Sequence, residues 1–455
     1  MTEPVDRSAL PSYAEVEAAL LARWPETRLE PSLDRIEALV ELLGDPQRAY
    51  RVVHLTGTNG KTSTSRMVDD LLRARGLRTG RFTSPHVERM TERISLDGEP
   101  LDDEAFVRAY LDVAPYLDLV DAGAAHPLSF FEAVVGMAYA AFADAPADVA
   151  VVEVGMGGSW DATNVADGAV AVVTPIAVDH ARYLGDSAEA IAVEKAGIIK
   201  PGAVVVVAEQ APEVMAVLAE RAVEVGATLL RENVDFGVTA RVPAVGGQVV
   251  SLRGVQREYT DVFLPLYGAH QAQNAALALA AVEAMAGDEP LGHELVHETL
   301  ATATSPGRLE VVRRGPTILL DAAHNPHGAA ATVEAIRDSF TFDPLVGVVG
   351  VMGDKDAEGL LAELEPVLSE IVVTQSSTPR AMPVEELEEV ARDLFGAHRV
   401  TVARRLDDAL EQAVTLAETG GSLGESIGTG GVLVTGSVVT VGEARILLRR
   451  EVRSS

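Results

Sequence analysis

The chain has 455 residues, no cysteine, and a formal net charge of −31 from 37 basic and 68 acidic side chains. This length exceeds what one hydrophobic core usually supports, and the lack of cysteine excludes disulfides and thiolate chemistry. The acidic charge argues against a nucleic-acid partner, and no apolar stretch reaches the roughly 20 residues of a membrane span. With no secretory signal at Met1–Pro4 either, we expect a cytoplasmic protein without membrane association.

The first part of the chain alternates between helical and strand patterns. Residues 12–46 have helical periodicity, and helical segments at 130–142 and 188–196 separate apolar runs that predict buried strands. These strands cover residues 52–55, 149–154, 170–173 and 203–207. Such alternation is typical of a mostly parallel sheet with helices on both faces. Shorter polar–apolar alternation over 245–266 predicts an antiparallel patch, and a strong helix follows at 271–285.

Residues 302–307 form a predicted linker, so we expect domains at 1–304 and 305–455. Beyond it, strand–helix units restart, with strands near 317–321, 345–351, 370–375, 399–403 and 431–436. A Gly/Ser-rich stretch at 420–431 predicts a surface loop. The predicted fold class is α/β: a larger N-terminal P-loop-type domain with a mostly parallel sheet and an antiparallel patch, then a smaller doubly wound α/β domain. We expect the active site in the cleft between them.

The most informative segment is a glycine turn between the first predicted strand and a helical pattern, HLTGTNGKTS at 54–63. Backbone N–H groups and a helix N-terminus can hold an anion there, with Lys61 reaching the terminal phosphates and a hydroxyl ligating Mg²⁺. Leu55 stands where the general P-loop has its first glycine, so this is a shorter cradle. The alternative is an ordinary strand–turn–helix corner. The predicted nucleotide-binding residues here are Gly57, Thr58, Asn59, Gly60, Lys61, Thr62 and Ser63.

Other polar residues follow predicted strands or helices of the first domain. Glu153 lies near a strand end, where a carboxylate is placed to ligate Mg²⁺, or else to cap the following glycine turn. His180 follows Asp179 at the next strand end, as a ligand or a hydrogen-bonded core histidine. Lys195 lies in an apolar helical end, where lysine is costly unless it is paired, modified or extended to the surface.

The second domain repeats this arrangement at its own strand ends. Asp321 and Asn325 follow one predicted strand and serve either a ligand or the turn and helix cap. The turn at 353–356 and the strand end at 435–437 occupy the equivalent edge. So many polar groups on one rim predict a ligand surface.

A series of short motifs occurs in a fixed order along the chain. They are TGTNGKTS (56–63), TSPH (83–86), ERI (92–94), EVGMGG (153–158), DATN (161–164), DH (179–180), EKAGII (194–199), HQAQN (270–274), PGR (306–308) and DAAHNP (321–326). With this set the chain resembles the folylpolyglutamate synthase/dihydrofolate synthase family, a branch of the Mur ligase superfamily, from about residue 30 to the C-terminus.

The resemblance implies an ATP-dependent, ADP-forming amide ligase. A carboxylate of dihydropteroate or a folate is phosphorylated by ATP, and the amine of L-glutamate then attacks the acyl phosphate. It also implies catalytic Lys61, His180 and a carbamylated Lys195, one Mg²⁺ on Ser84 and Glu153, and a second on Glu153 and His180. The remaining implied contacts are Asn274, Arg308 and Asp321 for ATP, His324 and Ser437 for glutamate, and Leu29, Glu30, Ser129, Phe130, Phe131, Glu132, Trp160 and Asp161 for the pteridine. We expect a monomer.

Two positions depart from the family pattern. Ser159 stands where the family usually has arginine, and Ala322 replaces a glycine. The first change leaves open a paralogue that joins an amino acid to a different carboxylic acid. Only 56 residues precede Gly57, which argues against a peptidoglycan-type Mur ligase with its extra N-terminal domain. A catalytically inactive nucleotide-binding module and a plain phosphotransferase are the remaining alternatives.

Overall fold

The protein, analysed as a computed structural model, is described over residues 10–25, 31–419 and 430–454. Its strands are β1 Arg51–Thr56, β2 Thr79–Phe82, β3 Ile94–Leu96, β4 Glu99–Pro100, β5 Val149–Glu153, β6 Gly168–Val173, β7 Val204–Val207, β8 Thr228–Arg231, β9 Gly237–Ala244, β10 Gly247–Arg253, β11 Glu258–Leu264, β12 Glu310–Arg314, β13 Thr317–Leu320, β14 Leu345–Val349, β15 Glu370–Val373, β16 Val400–Val402 and β17 Gly431–Thr435. They form sheets of eight, three and six strands.

Helices cover these sheets. The α-helices are α1 Tyr13–Leu21, α2 Asp34–Leu42, α3 Lys61–Ala74, α4 Asp103–Gly123, α5 Phe130–Asp144, α6 Ala181–Leu184, α7 Ala188–Lys195, α8 Pro212–Glu224, α9 Ala269–Ala286, α10 His293–Leu300, α11 Pro326–Ser339, α12 Ala357–Leu364, α13 Val384–Phe395, α14 Leu406–Thr419 and α15 Val438–Ser454. Short 3₁₀ helices lie at Pro46–Arg48, Met90–Arg93, Ala162–Val165, Ala196–Ile198 and Ala397–Arg399. Among the described residues no helix is both long and apolar enough to span a bilayer.

The eight-stranded sheet has the order β4-β3-β2-β5-β1-β6-β7-β8 and is parallel from β2 to β8. Its strands are valine-rich because both faces are covered. Alternate residues of β1 serve different cores: Val53 and Leu55 pack towards α3 and α9, whereas Val52 packs towards α2 and α5. Leu55 pairs with Glu153 and Thr56 with Val173, so the carboxyl ends of β1, β5 and β6 meet.

The predicted antiparallel patch is confirmed as the sheet β11-β10-β9. It begins at Gly237, earlier than the predicted residue 245. The prediction missed β9 because most of that strand is solvent-facing, so Thr239 and Arg241 break the apolar alternation that identifies a half-buried strand.

The C-terminal sheet has the order β12-β13-β17-β14-β15-β16. The five predicted parallel strands are confirmed, each followed by a helix, and β12 adds an antiparallel edge that the sequence did not indicate. Helices pack on both faces of this sheet, as a doubly wound domain requires. Most of the predicted loop at 420–431 lies outside the described residues.

Candidate active site

The turn between β1 and α3 can be built only with glycine at two positions. Gly57 has φ +140° and Gly60 has φ +90°, in the region that disfavours other residues. A Cβ on Gly57 would lie 1.9 Å from the Thr174 hydroxyl oxygen, and one on Gly60 would lie 2.6 Å from the Asn274 amide oxygen. The predicted nucleotide residue Asn274, on α9, is thus brought directly beside the turn.

Lys61 is the first residue of α3, and its Nζ curls back into the turn. It donates to the Gly57 carbonyl oxygen at 2.9 Å and to that of Thr58 at 3.3 Å. Burial lowers the pKa of Lys61, and the negative charges of Glu153 and Asp179 oppose this shift. The predicted phosphate residue is therefore a poorly solvated cation at a helix N-terminus, next to backbone N–H groups that can bind an anion.

Lys195, the last residue of α7, reaches the same carbonyl. It is only 4% exposed, and its Nζ donates to the Gly57 oxygen at 3.0 Å. Burial, and then the charge of Lys61, lower its pKa to about 7. The surface-extended alternative is excluded because the side chain is buried and Glu194 instead accepts from the Trp160 N–H at 3.3 Å. The lowered pKa increases the fraction of free amine at neutral pH, and a free amine is a nucleophile for carbon dioxide.

Glu153 ends β5 with a carboxylate that is half satisfied. The side chain is fully buried; Oε2 accepts from the Ser84 N–H at 3.0 Å, whereas Oε1 accepts from none of the described residues. Burial raises its pKa, although Lys61, the Ser84 N–H and the Thr62 hydroxyl oppose this. An unpartnered oxygen beside two hydroxyl-bearing residues fits a hard divalent cation such as Mg²⁺.

The structure does not assemble a dense metal cluster. Within the described ranges, no group of three or more His, Asp or Glu side chains is placed to hold an ion. Mg²⁺ usually takes few protein ligands and completes its shell with water and substrate phosphates, so the donors present are compatible with it.

Asp179 and His180, which follow β6, both contact a lysine of the C-terminal domain. Lys355 Nζ lies 2.6 Å from Asp179 Oδ1 and 3.3 Å from His180 Nε2. His180 has φ +53°, and burial together with the Lys355 charge lowers its pKa to about 4. Burial disfavours the charged form of Asp179, but the hydrogen bond from His324 and the charge of Lys355 lower its pKa well below the ordinary value.

At the edge of the C-terminal sheet, two predicted ligand residues, Asp321 and Ser437, are satisfied within the chain. Asp321 accepts from the N–H groups of Leu309 and Ala323 and from the Thr332 hydroxyl, all within 2.9 Å. Ser437 accepts from the Thr440 N–H at 3.0 Å and so caps α15. The turn-and-cap alternative raised for Asp321 and Asn325 describes the contacts seen here, since Asn325 accepts from the Gly328 N–H at 2.8 Å and so caps α11.

Hydrogen bonds join the two edges across the cleft. Asn59 of the glycine turn and Asn325 at the start of α11 exchange two bonds of 3.2 Å, and Asn325 also donates to Asp179 at 3.1 Å. Ser63 and Ser305 lie 2.8 Å apart. The Arg308 guanidinium donates to the Gly307 carbonyl oxygen at 3.1 Å. Its positive charge is close enough to Lys61 to lower the pKa of that lysine.

Beside Ser84 the larger domain contains a cavity of about 130 Å³. Its lining includes the predicted pteridine-contacting residues Ser129, Phe131, Glu132, Trp160 and Asp161, together with Trp24, Pro31, Ser32, Arg35, Ser84, His126, Pro127, Gly155, Met156 and Ala162. Aromatic walls and a few polar groups are the usual composition of a small-molecule site. Ser84, which lines this cavity, donates its N–H to Glu153 and so links the cavity to that carboxylate.

One predicted position, Phe130, does not line this cavity. Phe130 is buried with the Arg93 guanidinium 4.8 Å from its ring centre, because one step along α5 turns it about 100° away from Phe131. Leu29 and Glu30 lie outside the described residues.

Among the residues that sequence reasoning missed, four have aromatic or charged side chains. Trp24 and His126 line the cavity with ring centres 4.9 Å apart and ring planes tilted by 59°. Arg35 also lines it, and its Nε donates to Glu132 at 3.0 Å. The fourth is Lys355. Trp24 could have been predicted from the sequence, because the chain has only 2 tryptophans and the other, Trp160, was already a predicted site residue.

Comparison with known families accounts for both domains. Residues 127–282 match the Mur ligase middle domain, and residues 307–438 match the Mur ligase glutamate ligase domain. These matches define the class: the protein has the middle and glutamate ligase domains of the Mur ligase superfamily of ATP-dependent ligases.

Individual relatives narrow this class. The dihydrofolate synthase/folylpolyglutamate synthase of Mycobacterium tuberculosis is 49% identical over 97% of this chain and 94% of its own length. A crystal structure of M. tuberculosis folylpolyglutamate synthase with ADP and AMPPCP superposes with a TM-score of 0.91 at 48% identity, covering 96% of this chain and 98% of that one. For Escherichia coli FolC with DHPP and ADP, the TM-score is 0.84 at 29% identity over 98% and 99% of the chains. The chain therefore belongs to the folylpolyglutamate synthase/dihydrofolate synthase family, and the predicted resemblance and fold class are confirmed.

Proposed function

We propose that this ligase adds L-glutamate to dihydropteroate, to folates, or to both, through an acyl phosphate. The carrying observation is that Ser84 lines the cavity and donates its N–H to the half-satisfied carboxylate of Glu153. An acid bound in the cavity with its carboxylate at Ser84 would lie beside Glu153, where burial raises the pKa and the charge of Lys61, the residue proposed to hold the triphosphate, opposes that shift. Complexes of relatives with ADP support the use of a nucleotide by this family.

In the activation step, a carboxylate oxygen of the acid attacks the γ-phosphorus of ATP, and ADP leaves. Lys61, released from the Gly57 carbonyl, and the N–H groups of residues 58–62 would balance the charge on the phosphoryl oxygens as it moves. Asn274 and Arg308 are the proposed further contacts of ATP, with Asp321 at its ribose. The glycines at 57 and 60 serve this step by letting the backbone approach the phosphates closely.

We propose that Mg²⁺ is bound by Ser84 and Glu153, with a second ion on Glu153 and His180. Bound there, the ions would neutralise phosphate charge and orient the leaving group. The open Oε1 of Glu153 supports the first site. For the second, Lys355 would have to release His180 Nε2. Lys195 is proposed to be carbamylated, which its burial and a pKa of about 7 support.

In the ligation step, the amine of glutamate attacks the acyl carbon, and inorganic phosphate leaves as the tetrahedral intermediate collapses. The glutamate is proposed to bind at the C-terminal edge, near His324 and Ser437. His324 lies 3.5 Å from Asp179, which places it on the cleft side of that edge. We place the boundary between the two domains at 304/305, which the start of the second sheet at Glu310 supports.

The test is incubation with ATP, Mg²⁺ and glutamate plus either dihydropteroate or tetrahydrofolate, with products identified by mass. We expect acid-dependent ADP release and a product heavier by one glutamyl residue. ADP and phosphorylated acid without a need for glutamate would indicate a phosphotransferase. If neither dihydropteroate nor tetrahydrofolate is converted, the result would favour a paralogue that acts on another carboxylic acid, the alternative raised by Ser159.

A further inference from the structure

One loop of the larger domain is held by hydrogen bonds within itself and by ion pairs with the C-terminal helix. This segment, residues 83–93 and here termed the Ser84 loop, contains the TSPH motif and the first two residues of the ERI motif, Glu92 and Arg93. Inside it, Glu92 accepts from the N–H groups of Val87, Glu88 and Arg89 at 2.8 to 3.0 Å. A carboxylate that holds three successive N–H groups makes the loop a stiff unit.

The second ERI residue ties this unit to the site. Arg93 is 4% exposed, and its guanidinium donates to His86 Nδ1 at 3.0 Å and lies 3.4 Å from the Ser84 hydroxyl oxygen. Ser84 in turn donates its N–H to Glu153. Ser84 is therefore held to the larger domain by Glu153 and Arg93, and its position does not depend on the contacts of Glu88.

The C-terminal helix α15 forms ion pairs with Glu88, the residue at the tip of the Ser84 loop. Arg445 pairs with Glu88 and, at 3.0 Å, with Glu310, while Arg449 lies 3.0 Å from the other Glu88 oxygen. Both Glu88 and Arg445 are largely buried, with side chains 12% and 14% exposed, so their pairing is screened less than a surface ion pair. A Cβ on Gly442 would lie 1.9 Å from the Val87 carbonyl oxygen, so helix and loop are also in backbone contact.

The same helix begins at the amine side of the cleft. Ser437 caps its first turn, and Arg445 follows eight residues later, about 12 Å along the axis at 1.5 Å per residue. Since a helix of this length is rigid, one element spans the proposed glutamate edge and the loop that carries Ser84.

We propose that Glu88 and Arg445 are positioning residues: through α15 and the Ser84 loop they fix the distance between the bound amine and the activated acid. This inference rests on the proposed function, because it assigns the amine to the C-terminal edge and the acid to Ser84. Neither residue touches the reacting atoms. Their loss should therefore spoil the approach of glutamate while leaving phosphoryl transfer, which Lys61 and Glu153 serve, largely intact.

The test separates the two steps with hydroxylamine. Its nitrogen attacks the same acyl phosphate from solvent, releases inorganic phosphate and gives a hydroxamate without using an amine site. In Glu88→Gln and Arg445→Gln, we expect glutamate-dependent amide formation to fall about tenfold or more, because misplacement of reacting groups by an ångström is costly. Hydroxamate formation should stay within about twofold of the wild type, and the double variant should be no slower than Arg445→Gln alone.

Several controls keep the outcome unambiguous. Arg445→Lys retains the charge between Glu88 and Glu310 and should restore most of the amide rate. Arg392→Gln removes an arginine–glutamate pair away from the Ser84 loop, the more exposed pair with Glu388 within α13, and should leave both products unchanged. A parallel loss of both products, or no loss of amide, would overturn the positioning role. If the wild type forms neither product, the proposed function itself fails, which is a different result.

Discussion

The two strand edges that face each other across the cleft differ in how their polar groups are satisfied. At the edge of the larger sheet, Glu153 has an open buried oxygen, and Lys61 and Lys195 both donate to one carbonyl. At the edge of the smaller sheet, Asp321 and Ser437 are engaged by their own turns and helices. Buried polar groups are normally paired, so an unpaired one indicates a bond that a ligand is meant to make.

This contrast divides the work between the domains. In the larger domain, burial disfavours the charged forms of Lys61, Glu153 and Lys195, and a bound anion and divalent cation would offset this cost. In the smaller domain, Asp321 and Ser437 already have hydrogen-bond partners within the chain. The same contrast predicts opposite consequences for substitutions at the two edges: loss of activity at the first, and loss of stability at the second.

The largest effect is expected at Lys61. Replacing it as Lys61→Met removes the cation nearest the transferred phosphoryl group and should lower ADP release by about a hundredfold or more. The matched control is Lys200→Met, since Lys200 is also a half-buried lysine of the larger domain but donates to the Asn164 carbonyl, away from the turn. Near-normal turnover in Lys61→Met would show that the turn does not bind the triphosphate.

A pair of carboxylate substitutions tests the contrast directly. Glu153→Gln should lower turnover at saturating Mg²⁺ by about tenfold to a hundredfold, yet leave the unfolding free energy of the metal-free protein unchanged or higher. Asp321→Asn should lower the unfolding free energy by about 1–3 kcal/mol, because an amide NH₂ group would face donors that now bind a carboxylate. Chemical denaturation of both variants measures the unfolding free energy, and steady-state assays measure turnover.

The pH dependence of stability gives the sign of the Glu153 effect. Burial raises its folded-state pKa, so between the ordinary and the raised value the folded protein binds more protons than the unfolded chain. The unfolding free energy therefore falls as pH rises through that window, and Glu153→Gln should lack this component. If the two proteins show the same pH profile, then the Glu153 carboxylate is not held in an unfavourable state.

Lys195 should make activity depend on carbon dioxide in a pH-dependent way. With a pKa of about 7, the free amine rises from about one-tenth at pH 6 to about nine-tenths at pH 8. Because only the free amine forms a carbamate, stimulation by added bicarbonate should be severalfold at pH 8 and small at pH 6. A carbamate ¹³C resonance from labelled bicarbonate, absent in Lys195→Met, is the direct measurement; its absence in the wild type would refute carbamylation.

The smallest effect is expected at Ser159. This residue is exposed and its hydroxyl donates to the Glu194 carbonyl at 3.0 Å, so an arginine can be accommodated there without burying its charge. We expect Ser159→Arg to improve kcat/KM for folate substrates by up to about fivefold, the range of a screened charge–charge contact. Ser159→Gln controls for size and polarity. An equal effect of both variants, or none, would separate this position from substrate choice.

Local features of the chain were predictable because their causes are local. The glycine turn, the strand that delivers Glu153 and the doubly wound C-terminal units follow from periodicity, glycine placement and strand ends close in sequence. The family motifs extended this to Asn274, which the structure places against Gly60. Sequence could not tell that Phe131 lines the cavity while Phe130 does not, because that depends on how α5 packs.

Contacts between distant segments were decided only by the tertiary structure. Lys355 reaches Asp179 from 176 positions away, and Arg445 reaches Glu88 from 357 positions away. Neither lysine nor arginine carries a sequence signal for its partner, since long cationic side chains on loops and helices are usually solvated. The sequence by itself determined which turns and strand ends carry the chemistry; how the two domains dock determined which of their charges meet, because docking is set by whole packed surfaces and not by any short pattern of residues.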